Sequence, residues 1–165
     1  MPEPVFVYER VFKAPRALVF DCFAKVEHMS KWFRSPGSEC EFLYSDVRPG
    51  GYNHVKMVNP DMGTFYGKYT FREVSPIDRI VYVNAFSDAE GNLVHHPMAP
   101  TWPLELLTEL TFTDEGNDTK LVLVWTAIDA TEEELATFEA GLDSCRQGWG
   151  ATLDYLDTYL GETAS

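Results

Sequence analysis

Between residues 40 and 128 apolar and polar side chains alternate with a period of two, in six separate segments. They are CEFLYSDV (40–47), YNHVKMV (52–58), TFYGKYTFREV (64–74), RIVYVNAF (79–86), LELLTELTF (104–112) and KLVLVWTAI (120–128). A period of two sends successive side chains to opposite faces of an extended chain, so each segment reads as a strand. The links RPGG (48–51), NPDMG (59–63), SPID (75–78) and DEGND (114–118) are turn chemistry, as is DAEG (88–91) in the longer link. Links this short join neighbours, and neighbours joined by a tight turn run antiparallel. VFVYERVF (5–12), rich in Val and Phe, supplies a seventh strand. Seven antiparallel strands twist and bend, so the sheet presents a concave face that something must cover.

Two short helices and a long one are available. APRALVFDCFAKV (14–26) places Leu18, Val19, Cys22, Phe23 and Val26 on one helical face, with Pro15 in the first turn. A second helix is expected over 27–32, turning Met29, Trp32 and Phe33 inward. One continuous helix is expected over 131–160. Thr131 and Glu134 make a capping box at its start, and Leu135, Phe138, Leu142, Cys145, Trp149, Leu153, Leu156 and Leu160 form its apolar stripe. Gly141 and Gly148 interrupt it, and each costs about 1 kcal/mol in a helix interior. That cost predicts either close contact with the sheet or room left for a ligand.

The chain has 165 residues, which suits one α+β domain over 1–165. Its formal net charge of −13 repels phosphate backbones and anionic headgroups, which argues against nucleic acid and membrane partners. The three cysteines form no CxxC, and the N-terminus does not read as a signal peptide; reduced thiols in the cytoplasm are expected.

RVFKAPRALVFDCFAKVEHMSKWF (10–33), DVRPGGY (46–52), GKYTFREVSPIDRIVY (67–82) and TEEELATFEAGLDSCRQGWGATLDYLDTYL (131–160) go further than the pattern of elements. Together they resemble the START/Bet v 1-like (SRPBCC) superfamily. The resemblance is to the subgroup related to the C-terminal part of the activator of Hsp90 ATPase, over about residues 5–160. It implies a helix-grip fold: a curved seven-stranded antiparallel sheet wrapped around a long C-terminal helix, with two short helices after strand 1. It also implies a deep pocket between sheet and helix. Members bind hydrophobic small molecules, act as cyclases, or serve as co-chaperone modules. The eukaryotic co-chaperone carries a further N-terminal domain, whereas here the first strand is expected within a few residues of Met1. That counts against the chaperone role.

A small apolar or aromatic molecule is therefore the expected partner, with no cofactor and no metal. The expected ligand-binding residues are Trp32, Tyr52, His54, Phe65, Tyr69, Trp102, Trp125, Arg146 and Trp149. Strand alternation groups Tyr52, Phe65, Tyr69, Phe71, Leu106, Leu110, Leu123 and Trp125 as candidates for the inner face. His54, Thr108 and Arg146 are the polar groups that would orient the ligand. A cyclase-like or hydrolase-like enzyme using His54 or Arg146 is one alternative. A module for an Hsp90-type chaperone is the less favoured one, and a homodimer stays open. HHPMAPTWPLE (95–105) is unusually stiff and apolar for a link between strands. Adjacent histidines point apart in extended chain, so His95 and His96 do not converge on one zinc ion. The segment reads instead as a rim: Pro97, Pro100 and Pro103 stiffen it, and Met98 and Trp102 cover apolar space. No nucleophile-elbow, dinucleotide or P-loop motif occurs. Cys22 and Cys145 sit on apolar helix faces, where thiols are inert.

Overall fold

The computed structural model describes residues 3–96 and 98–163. Seven strands form one antiparallel sheet in the order β1-β7-β6-β5-β4-β3-β2. They are β1 (Phe6–Phe12), β2 (Glu39–Ser45), β3 (Tyr52–Asn59), β4 (Gly63–Ser75), β5 (Arg79–Ser87), β6 (Glu105–Glu115) and β7 (Asp118–Ile128). Two helices, α1 (Arg16–Ala24) and α2 (Val26–Trp32), follow β1, and α3 (Glu132–Ala140) and α4 (Leu142–Thr163) close the chain. This is the expected α+β helix-grip architecture. Every connection from β2 to β7 joins sheet neighbours, as the turn chemistry requires. Gly51 shows how tight the turns are. A Cβ there would lie 2.2 Å from the Asp46 carbonyl oxygen, so only glycine closes the β2–β3 link.

The expected single helix over 131–160 is two helices. The Thr131–Glu134 capping box is present in full, with Thr131 Oγ1 accepting from the Glu134 amide at 3.1 Å and Glu134 Oε1 accepting from the Thr131 amide at 2.9 Å. The first helix then stops at Gly141, whose backbone lies at φ −93°, ψ 2°. Trp102 occupies the space beside it, 3.1 Å from where a Cβ would be. The break is therefore a close contact with the 98–103 segment, not with the sheet. Gly148 meets no atom within 4 Å and faces open space.

The core is graded along the sheet. At one end Phe12, Leu110, Phe112, Leu121 and Ile80 from the strands pack with Val19, Phe20 and Phe23 of α1 and with Leu153, Leu156 and Leu160 of α4. All of these are buried. Phe112 meets Phe20 and Phe23 edge-on, with ring centroids 5.4 and 5.5 Å apart. At the opposite end the same face carries Tyr69, Asn84, Phe86, Trp125 and Ala127, all only half-buried. The N-terminal half of α4 crosses this thinner end, and half-buried Cys145 and Trp149 are its contribution.

Candidate functional site

Strand pairing settles which side chains share the concave face. Directly opposed residues point the same way. The row Phe6, Trp125, Thr108, Tyr82 and Phe71 is continuous across five strands. One row over, Asn53 opposes Tyr69, Tyr69 opposes Asn84, Asn84 opposes Leu106 and Leu106 opposes Ala127. In these two rows Phe6, Thr108, Tyr82, Phe71, Asn53 and Leu106 are buried, and Trp125, Tyr69, Asn84 and Ala127 are half-buried, so the face is the floor of a shallow groove only at the thin end of the core. Trp149 of α4 forms one wall, with its ring 5.7 Å from that of Trp125 and inclined at 75°. The rim is aromatic on both sides. His96 packs on Phe86 at 4.5 Å and on Phe65 at 6.3 Å. Trp102 meets Phe138 edge-on at 5.5 Å, and the Thr101 and Thr137 hydroxyls join the 98–103 segment to α3 at 2.8 Å.

Of the expected residues Phe65, Tyr69 and Trp125 share the inner face, Trp149 meets Trp125, and Trp102 packs on Phe138 of α3. The other four are elsewhere. Trp32 is 1% exposed inside the closed end, where its indole N–H donates to the Cys22 carbonyl at 2.9 Å. Tyr52 and His54 are on the opposite, convex face, because Asn53 and not Tyr52 is registered with Tyr69. Tyr52 lies beside Tyr44 at 4.6 Å and under the Lys68 ammonium at 4.7 Å. His54 Nε2 contacts the Ser87 hydroxyl and the Asp88 carbonyl, each at 3.1 Å, and so ties β3 to the turn after β5. Arg146 is exposed at the sheet edge, where it donates to the Val7 carbonyl at 3.1 Å and lies over the rings of Phe6 and Tyr8. It caps an edge strand beside Phe6, at the border of the concave face. Met98 is 64% exposed, so it does not bury itself over apolar space as expected of the rim; Pro97 lies outside the described residues.

Alternation along β5 carries a signal that the sequence analysis passed over. Ile80, Tyr82, Asn84 and Phe86 share a face, so Asn84 belongs to the floor. The floor has its own polar chain. The Thr108 hydroxyl donates to Asn84 Oδ1 at 2.6 Å, and the Tyr82 hydroxyl interacts with Thr108. Beside it, Trp125 Nε1 is buried with no hydrogen-bond acceptor. Burial pushes the Tyr69 and Tyr82 phenols well above their ordinary range and holds the His96 imidazole below its own, so all three are neutral at pH 7. Burial likewise pushes Cys22 and Cys40 up to about 12 and Cys145 up to about 11. Such thiols carry almost no thiolate at neutral pH and are poor nucleophiles.

Two recesses adjoin this region. One, of about 20 Å³, lies between α2 and the floor and is lined by Met29, Phe33, Asn53, Tyr69 and Tyr82. It has room for about one water molecule. The other, of about 270 Å³, is an open depression between α2 and β2 beside Lys31, Arg34 and Cys40. Enclosed sites for small molecules are usually about 300–1,000 Å³. Neither recess is the deep pocket implied by the resemblance, and the inner one is nearly filled.

The family follows from comparison with known proteins. The model of the family described as activator of Hsp90 ATPase homolog 1-like protein matches residues 13–161. The chain belongs to that family. Solved structures repeat the fold. A Mycobacterium smegmatis protein is 20% identical, covers 94% of this chain and 90% of its own, and superposes with a TM-score of 0.78. A Chromobacterium violaceum protein is 24% identical with 96% of both chains covered and a TM-score of 0.71. An Arthrobacter aurescens protein is 17% identical, covers 96% of this chain and 86% of its own, and has a TM-score of 0.79. Identities this low carry the fold alone. No curated protein matches the chain. Among the described residues no helix is long and apolar enough to cross a membrane.

Proposed function

We propose that this member of the activator family binds a small, mostly apolar molecule in the groove between the concave face and the N-terminal half of α4. One observation carries this reading: the gradient of packing. The concave face is sealed at one end, yet aromatic and half-buried at Tyr69, Phe86, Trp125 and Trp149 at the other. Apolar surface left half in water gains roughly 25 cal/mol per Å² when a ligand covers it, before association costs. The rim built by Phe65, His96 and Trp102 would border that ligand. The free thiols fit a reducing, cytoplasmic setting.

Binding is favoured over catalysis because His54 is engaged on the far face and Arg146, the other group considered for catalysis, is bonded to the Val7 carbonyl at the sheet edge. The test is tryptophan fluorescence and calorimetry against a panel of aromatic compounds and lipids. Saturable quenching, lost on Trp149→Ala, is the expected result. A panel that leaves the fluorescence and the heats unchanged defeats the reading. The chaperone-directed alternative has a surface of its own in exposed Tyr44 with Tyr52 and Lys68 on the convex face. It predicts that an Hsp90-type ATPase is retained on immobilised protein and that Tyr44→Ala releases it.

A further inference from the structure

The polar atoms of the groove floor are unbalanced. The Trp125 indole N–H is buried without an acceptor. Leaving a buried donor unmade is costly, so a partner that supplies an acceptor is worth more here than at an exposed site. The neighbouring chain points the same way. The Thr108 hydrogen is spent on Asn84 Oδ1 at 2.6 Å, which leaves the Asn84 amide nitrogen as the free end of the chain, with no acceptor among the described residues. Asn84 is half-buried and lies between Tyr69 and Leu106 in the floor. The two donors lie in neighbouring rows of the floor, Trp125 opposite Thr108 and Asn84 opposite Leu106.

Two arginines border the concave side. Arg10 bonds to Asp154, Asp157 and the Gly150 carbonyl, and Arg146 bonds only to the Val7 carbonyl, at the Phe6 edge of the floor. Neither reaches Trp125 or Asn84 with a hydrogen bond, so the acceptor partner these two lack has to come from a ligand. We infer that the groove selects an aromatic compound bearing a carbonyl-type acceptor, with the Trp125 indole N–H and the Asn84 amide as its specificity-determining donors. This rests on the small-molecule reading above and narrows it. The Trp125 N–H is buried, so an acceptor reaches it only when a neighbour shifts; Trp149, with its ring 5.7 Å from that of Trp125, is that neighbour on the helix side.

Two matched probes test this on the full chain by calorimetry: 2-acetylnaphthalene and 2-ethylnaphthalene. They share one ring system and differ in a ketone and a methylene. The ketone is expected to bind more tightly. Trp125→Phe should lower the ratio of ketone to hydrocarbon affinity about fivefold, the worth of one net hydrogen bond. Asn84→Ala should lower the same ratio, and it carries the test should Trp125→Phe not fold. If ketone and hydrocarbon bind with a ratio that neither substitution changes, the donors do not select and the inference is overturned while the small-molecule reading stands. If neither probe binds, both fail together.

Discussion

Trp32 and Trp125 are read alike from sequence, as large apolar side chains on inward faces, and the fold treats them differently. Trp32 finds an acceptor in the Cys22 carbonyl and closes the core. Trp125 finds none. Nothing local distinguishes them, because the acceptor that satisfies Trp32 comes from a different helix. Truncating Trp32 to Ala should therefore cost stability and not ligand selectivity. A loss of about 3–5 kcal/mol in urea unfolding is expected for a buried aromatic. His54 is a second case. It was expected to orient a ligand, and it clasps Ser87 and Asp88 on the far face instead. His54→Ala should lower unfolding free energy by about 1–2 kcal/mol and leave the affinity of any groove ligand unchanged; a selective loss of affinity would return His54 to the site. The titrating groups give a third expectation. Cys22 and Cys40 are raised to about 12, and Tyr69 and Tyr82 are raised as well, so the folded state prefers their neutral forms. The unfolded chain ionises these groups first, from about pH 8.5 for thiols and about pH 10 for phenols. The contribution of these thiols and phenols to stability is then level below about pH 8.5 and falls as pH rises above it. Urea midpoints taken from pH 7 to 11 should show this decline, and Tyr82→Phe should flatten its upper part.

At the scale of elements, the strands were legible because burial on one face imposes a period of two, and β6 and the first half of β7 alternate cleanly, whereas β5 is buried on both faces from Ile80 to Val83. The face of β3 was not legible. Tyr52 and His54 on one side and Asn53, Val55 and Met57 on the other are about equally apolar, and only pairing with β4 decides between them. The break between α3 and α4 was hidden for a similar reason. Gly141 was visible, but the Trp102 ring that needs its missing side chain comes from a distant segment. The two helix glycines therefore make opposite predictions. At Gly148 a methyl group meets nothing within 4 Å, so Gly148→Ala should gain about 0.5–1 kcal/mol from helix propensity and reduced unfolded-state freedom. At Gly141 the same methyl would press on Trp102 at 3.1 Å. Gly141→Ala should shift the tryptophan emission spectrum and give no such gain. Equal stabilisation by both would mean that Trp102 is not seated at the helix break.

For the whole molecule the deciding property is that its two ends are packed to different degrees. Arg10 ties β1 to α4 through Asp154, Asp157 and the Gly150 carbonyl, and Leu153, Leu156 and Leu160 are sealed beneath that half of the helix. The half nearer Gly141 has Cys145 and Trp149 against the sheet, both half-buried, and no fully buried side chain. Local opening follows buried apolar contact, so amide hydrogen exchange should divide α4 in two. Amides from 153 to 160 should exchange with the slow core of β6 and β7. Those from 142 to 149 should exchange faster, together with the 98–103 segment that Trp102 and Thr101 fasten to α3. A groove ligand should then protect the fast half selectively, because that half and its aromatic rim are what it would cover. The position of the protection is informative. Slowing confined to 142–149 and 98–103 places the ligand in the groove, whereas slowing along β2 and β3 would put it on the Tyr44 and Tyr52 face instead. Uniform exchange along α4 in the free protein would remove the packing gradient itself, and with it the physical reason for looking in the groove.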